Sequence, residues 1–232
     1  MKYTLLLLFT LVTIPCYGQV LTIDQAQDAL VRARIDQAIK THPEIWLRED
    51  IPILQRLGML TISVHMPNAN ERLSSLPASV GCDQDFSVHC QPNMDFDGGW
   101  LLNPPVSVEA YQEILWHEAI HAHHWLFQQL PSSCFDDLHH ETDPEVERYY
   151  HCLAELLAYY EQAQYDGKHG INCQHRVCHK YRTEGLDEMA KAVVNTLLES
   201  AHVMGKDWSL HCSVMRQAAR DFVEQVKRNE AL

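Results

Sequence analysis

The segment from 107 to 128 most constrains the fold, because it is apolar almost all the way round and still carries Leu115-Trp116-His117-Glu118-Ala119-Ile120-His121 at its centre. Ile114, Leu115, Trp116, Ala119, Ile120, Ala122, Trp125, Leu126 and Phe127 leave a helix here almost no solvated face. Such a helix is normally a buried one, so the rest of the chain must wrap around it. Two imidazoles and a carboxylate placed there are costly to desolvate unless something pairs with them. Four residues is about one helical turn, so both imidazoles point the same way and can share one divalent cation. Glu118 stands beside them, where it can take a proton from a water polarised by that cation. With 15 histidines in the chain, the spacing alone is a weak signal, and the apolar setting gives it weight.

A catalytic zinc site wants three protein ligands and one open position. Glu155 is the candidate third ligand, a lone acid in the apolar run Leu153-Ala154-Glu155-Leu156-Leu157-Ala158, where a buried carboxylate needs a partner. His151, one turn earlier, competes for the role or supports it from behind. His124 lies two turns from His117, about 10.5 Å of rise, too far to join one tetrahedron easily, and is read as cleft wall or support. A donor to a developing oxyanion is also expected. Tyr149, Tyr150, Tyr159 and His202 are candidates, with Tyr150 placed first. A second cluster, Cys173, His175, Cys178 and His179, is open to three readings: a disulfide or thiol structure, a structural zinc, or a haem attachment.

Along the chain, Thr22 and Gln25 form a capping box for a first helix with apolar positions at Ala26, Leu30, Ala33 or Ile35, and Ile39, ended by His42-Pro43. Residues 43 to 58 are ambiguous. Residues 59 to 66 read as a strand. Residues 67 to 99 read as a long loop with a short strand at 86 to 89, and 100 to 103 as a strand just before the histidine-bearing helix. An exposed edge of that strand could hold an extended peptide by main-chain hydrogen bonds. Asp143-Pro144 opens a helix running to about 165, and two more helices are expected at 184 to 204 and 207 to 228. The fold class is α+β, mostly helical with a small sheet beside the histidine helix.

Residues 1 to 18 have the composition of an export signal: Lys2, a short apolar run, then small or turn-forming residues. The remaining 19 to 232 make one domain. Lipidation of Cys16 is disfavoured by Pro15, which stands where a small residue is wanted. A formal charge of −13 excludes a general electrostatic footprint for nucleic acid, and no apolar stretch is long enough to cross a bilayer. The expected location is secreted or periplasmic. Seven of the eight cysteines follow residue 18, and an oxidising compartment favours the short bridges Cys82 to Cys90 and Cys173 to Cys178.

The His117-Glu118-Ala119-Ile120-His121 run with downstream Ala154-Glu155-x-x-Ala158 resembles the zincin metallopeptidases, specifically the gluzincin branch, over roughly residues 95 to 165. The resemblance implies His117, His121 and Glu155 as zinc ligands, Glu118 as general base, a small sheet lining the cleft, and hydrolysis of peptide or protein substrates. The chain departs from the extended metzincin pattern at His124 and Phe127. Tyr159 stands where the thermolysin-like pattern has an aspartate, so the partner of a zinc histidine is not identified. Two rival functions stay open, a zincin-like binding or inhibitory module that cleaves nothing and a metal-sequestering protein.

Overall fold

A computed structural model describes residues 23–66, 77–83, 91–102, 107–126, 143–171 and 175–231. Helix α1 (Ile23–Thr41) buries Val31, Ile35, Ala38 and Ile39. The stripe therefore begins later than the sequence suggests: Ala26 and Leu30 are exposed, because α1 meets the core only from Val31 onward. The ambiguous stretch that follows is a π-helical turn, Trp46–Asp50, running into α2 (Ile51–Arg56), which starts with Pro52 in its first turn. Proline's fixed φ of about −65° suits the first helical turn.

Three strands, β1 (Thr61–His65), β2 (Ala78–Asp83) and β3 (Gln91–Asp97), form one sheet in the order β1-β3-β2. β3 lies parallel to β1 and antiparallel to β2. Alternation gives β3 its two faces. Met94 and Phe96 are fully buried, while Asn93 and Asp95 on the opposite face bond across to Thr61 and Ser63 of β1. Two of these strands fall inside the segment expected to be a long loop. The short strand expected at 86 to 89 lies outside the described residues.

Residues 98–102 correct a second expectation. They form a helical turn, α3 (Gly98–Leu102), and the strand nearest before the histidine helix is β3, which is central and paired on both sides. A central strand offers no free edge to a peptide. Gly98 lets α3 leave the sheet at once, since a Cβ there would sit 2.1 Å from the Met66 sulfur. Leu101 then plugs the core.

Helix α4 (Val108–Leu126) packs on β2, β3 and α1, and among its described positions Glu109 alone is exposed. Helix α5 (Pro144–His169) opens with Asp143, whose side chain accepts from the Glu145 N–H at 2.9 Å. It passes through Gly167 and stops at Gly170, which adopts φ +66°. The helix therefore runs past the expected end near 165, with Gly167 inside it. A helical glycine costs about 1 kcal/mol relative to alanine, which a packed helix absorbs, and termination waits for the left-handed cap.

α6 (Arg176–Glu184), absent from the sequence reading, precedes α7 (Leu186–Val203) and α8 (Cys212–Glu230). The observed fold is α+β, mostly helical with a small three-stranded sheet. Apolar side chains gather into two main cores. One joins α1, α2, the sheet, α3 and α4; the other joins α5, α6, α7 and α8. They meet where α4 packs against α5. Cys152 and Cys212 are free thiols. Cys90 and Cys173 lie outside the described residues, as do the export-signal segment and Cys16.

Candidate metal centre

The seam between the two cores is where the polar groups of α4 come to rest. His117 and His121 are half-turned toward α5, which returns Glu155 to the same point 34 residues after His121. The three side chains form a triangle whose donor atoms lie within 4.8 Å of one another. His117 Nε2 lies 3.2 Å from His121 Nε2 and 3.3 Å from Glu155 Oε2, and His121 Nε2 lies 3.5 Å from Glu155 Oε1. Zinc bound at about 2.0 to 2.2 Å requires tetrahedral edges of about 3.3 to 3.6 Å. The imidazole pair and the two contacts to Glu155, which end on its different oxygens, lie close to that requirement, and the donor set, two imidazoles and one carboxylate, is one that zinc accepts. Among the described residues this is the one cluster of three such groups.

Two carboxylates share these imidazoles and respond oppositely. Burial raises the pKa of Glu118, and the charges of His117 and His121 only partly oppose that rise. Burial also acts to raise Glu155, but the charge of His121 and hydrogen bonds from both histidines hold it well below the usual carboxylate range. For His117, burial acts to lower the pKa and is outweighed by the hydrogen bond and charge of Glu155, so the value rises. Environments that push two acids apart in this way separate a proton carrier from a permanent anion.

Helical geometry decides which neighbours join the centre. Residues 151, 155, 159 and 162 of α5 fall within about 40° of Glu155 around the helix axis, whereas Tyr150, five residues back, is turned about 140° away. Tyr150 packs edge-on against Tyr149, whose hydroxyl donates to Asp221 of α8 at 2.8 Å. Tyr159 instead packs on His117, ring centroids 4.2 Å apart, and stacks against His175 at 4.8 Å. His151 leans on Trp208, 5.6 Å between centroids, and burial lowers its pKa. His202 is exposed on α7. His124, 2% exposed, pairs through Nε2 with Glu161 at 2.8 Å.

Gln162 is the residue that sequence reasoning missed. It is 2% exposed, with Oε1 3.3 Å from His117 Nδ1 and Nε2 3.4 Å from the Glu113 carbonyl oxygen. The signal was its spacing: seven residues after Glu155, it must recur on the same face two turns on. His175 was grouped with Cys173, Cys178 and His179. In the fold its Nδ1 accepts from the Val177 N–H at 3.4 Å and caps α6, and His179 is exposed.

No protein family, curated protein or solved structure matches this chain.

Proposed function

We propose that this protein is an exported, zinc-dependent metallopeptidase of gluzincin type, with His117, His121 and Glu155 holding the ion and Glu118 acting as general base. One observation carries the reading: two imidazole nitrogens 3.2 Å apart, each within 3.5 Å of an oxygen of Glu155, beside a separate buried carboxylate whose pKa is raised. Zinc held there would supply Lewis acidity to a water and to the carbonyl of a peptide bond.

The chain's own residues divide the remaining work. Glu118, shielded from solvent, takes a proton from the attacking water and passes it to the leaving amine. Glu155 stays charged and bridges the two imidazoles. Tyr159 takes the oxyanion-donor role first given to Tyr150, because its ring rests on His117. Its phenol stays protonated: burial pushes its pKa well above 10, and the charges of Glu155 and Glu118 push the same way. A protonated donor at a fixed site stabilises developing negative charge without reorganising.

The test pairs metal content with turnover. Protein purified after export is assayed for bound zinc and for cleavage of a mixed peptide library, before and after chelation. The expected outcome is one zinc per chain and hydrolysis that chelation removes and zinc restores. Stoichiometric zinc with no cleavage would leave a metal-binding module, and protein that takes up no zinc would end the reading altogether.

A further inference from the structure

We propose that Gln162 is a positioning residue of the centre: it fixes His117 as the Nδ1–H tautomer and thereby reserves Nε2 as the ligand atom. The inference rests on the zinc reading above for its purpose, but its argument comes from hydrogen-bond chemistry alone. The two ends of a glutamine amide are distinguished by what they face. One end lies 3.4 Å from the main-chain carbonyl oxygen of Glu113, and a carbonyl only accepts. That end is therefore the NH2. The other end, 3.3 Å from His117 Nδ1, is the carbonyl oxygen and likewise only accepts, so Nδ1 must carry the hydrogen. With Nδ1 committed to Gln162, Nε2, the atom that faces His121 Nε2 and Glu155 Oε2, donates to Glu155 when the ring is protonated and offers its lone pair to a cation when the ring is neutral.

The arrangement also ties the two helices in register. Glu113 lies one turn before His117 on α4, and Glu155 and Gln162 lie two turns apart on one face of α5. A slide or rotation of α5 would lose the ligand and the tautomer lock together. Histidines that bind metals commonly donate their second N–H to a carboxylate, carbonyl or water; here the acceptor is a neutral amide. That choice suits a seam already holding Glu118 and Glu155, where a third buried carboxylate would add desolvation and repulsion.

Three proteins decide it: wild type, Q162M, which keeps the volume and removes the acceptor, and Q162E, which keeps an acceptor. Thermal unfolding first verifies that both variants fold. Long-range proton–nitrogen NMR on metal-free protein, at alkaline pH where imidazoles are neutral, should find His117 as Nδ1–H in wild type and lose that preference in Q162M. Zinc affinity should fall roughly 10- to 100-fold in Q162M and be retained or increased in Q162E. An Nε2–H tautomer in metal-free wild type, or Q162M binding zinc as tightly as wild type, would overturn the proposal. Because the tautomer is read without metal, failure to hydrolyse peptides or to bind zinc would defeat the proposed function and leave this assignment to be decided by the spectrum.

Discussion

Glu118 and Glu155 are the same residue type in opposite electrostatic settings. Both are carboxylates among the same imidazoles, yet burial lifts one pKa and paired histidines depress the other. Substituting each should therefore break a different function. Glu118→Gln should retain zinc and lose hydrolysis by roughly 10²- to 10⁴-fold, the usual contribution of a positioned base; comparable turnover in the variant would remove Glu118 from the mechanism. Glu155→Ala should instead lose zinc, measured as a dissociation constant by competition with a chelator. His151→Ala should lose less, because that ring packs on Trp208 and one turn away from the triangle. If His151→Ala loses more than Glu155→Ala, the third ligand has been misassigned.

At the scale of elements, α5 matters most, since it delivers Glu155, Tyr159 and Gln162. Its start is set by Asp143, and Asp143→Ala should cost about 1 kcal/mol of stability, as cap removal does, visible as a lower denaturation midpoint in urea. The turn after α1 gives a pH-dependent expectation. His42, 3% exposed, accepts from the Glu44 N–H through Nδ1 at 3.0 Å and packs against Trp116 of α4 and Tyr165 of α5. Burial, aided by Arg48, lowers its pKa from 6.5 to about 4. The folded value lies below the unfolded one, so between about pH 6.5 and 4 the unfolded chain binds the extra proton. This contribution is complete above 6.5 and shrinks as the pH falls through that window, by roughly 3 kcal/mol at its acid end. His42→Asn, which can still accept from Glu44 as an Asx turn, should flatten the acid limb of a stability-against-pH curve. An unchanged limb would locate the acid sensitivity elsewhere.

For the molecule as a whole, the consequence of the seam is that the proposed zinc ligands come from both cores: His117 and His121 from the α4 side, Glu155 from the α5 side. Binding that spans two cores can occur only when both are folded and docked, so zinc should act as a stabiliser of the entire chain. Free zinc at 100 times its dissociation constant would add about 2.7 kcal/mol. In a chain of this size that corresponds to a rise of roughly 5 to 10 °C in Tm, read by calorimetry and reversed by chelation. Two transitions with only one responding to zinc would mean that the cores unfold independently.

The buried helix around His117 and His121, the return of Glu155, the opening of α5 at Asp143 and the two closing helices were all legible as residue order, because periodicity, caps and lone acids in apolar runs are local signals. Tyr159 and Gln162 were legible in principle, since their spacing from Glu155 follows from the helical period, but nothing local marks which face of α5 meets α4. β2 and β3 were hidden in polar, proline-containing sequence, and α6 behind a cluster of cysteines and histidines, because such segments become strand or helix only through partners distant in the chain. By itself, the sequence determined which side chains lie on one helical face, a consequence of backbone geometry within a few residues. Tertiary structure alone decided that the triangle closes at the seam, that β3 is central and that Gln162 reaches His117, because each depends on which surfaces pack together across long separations.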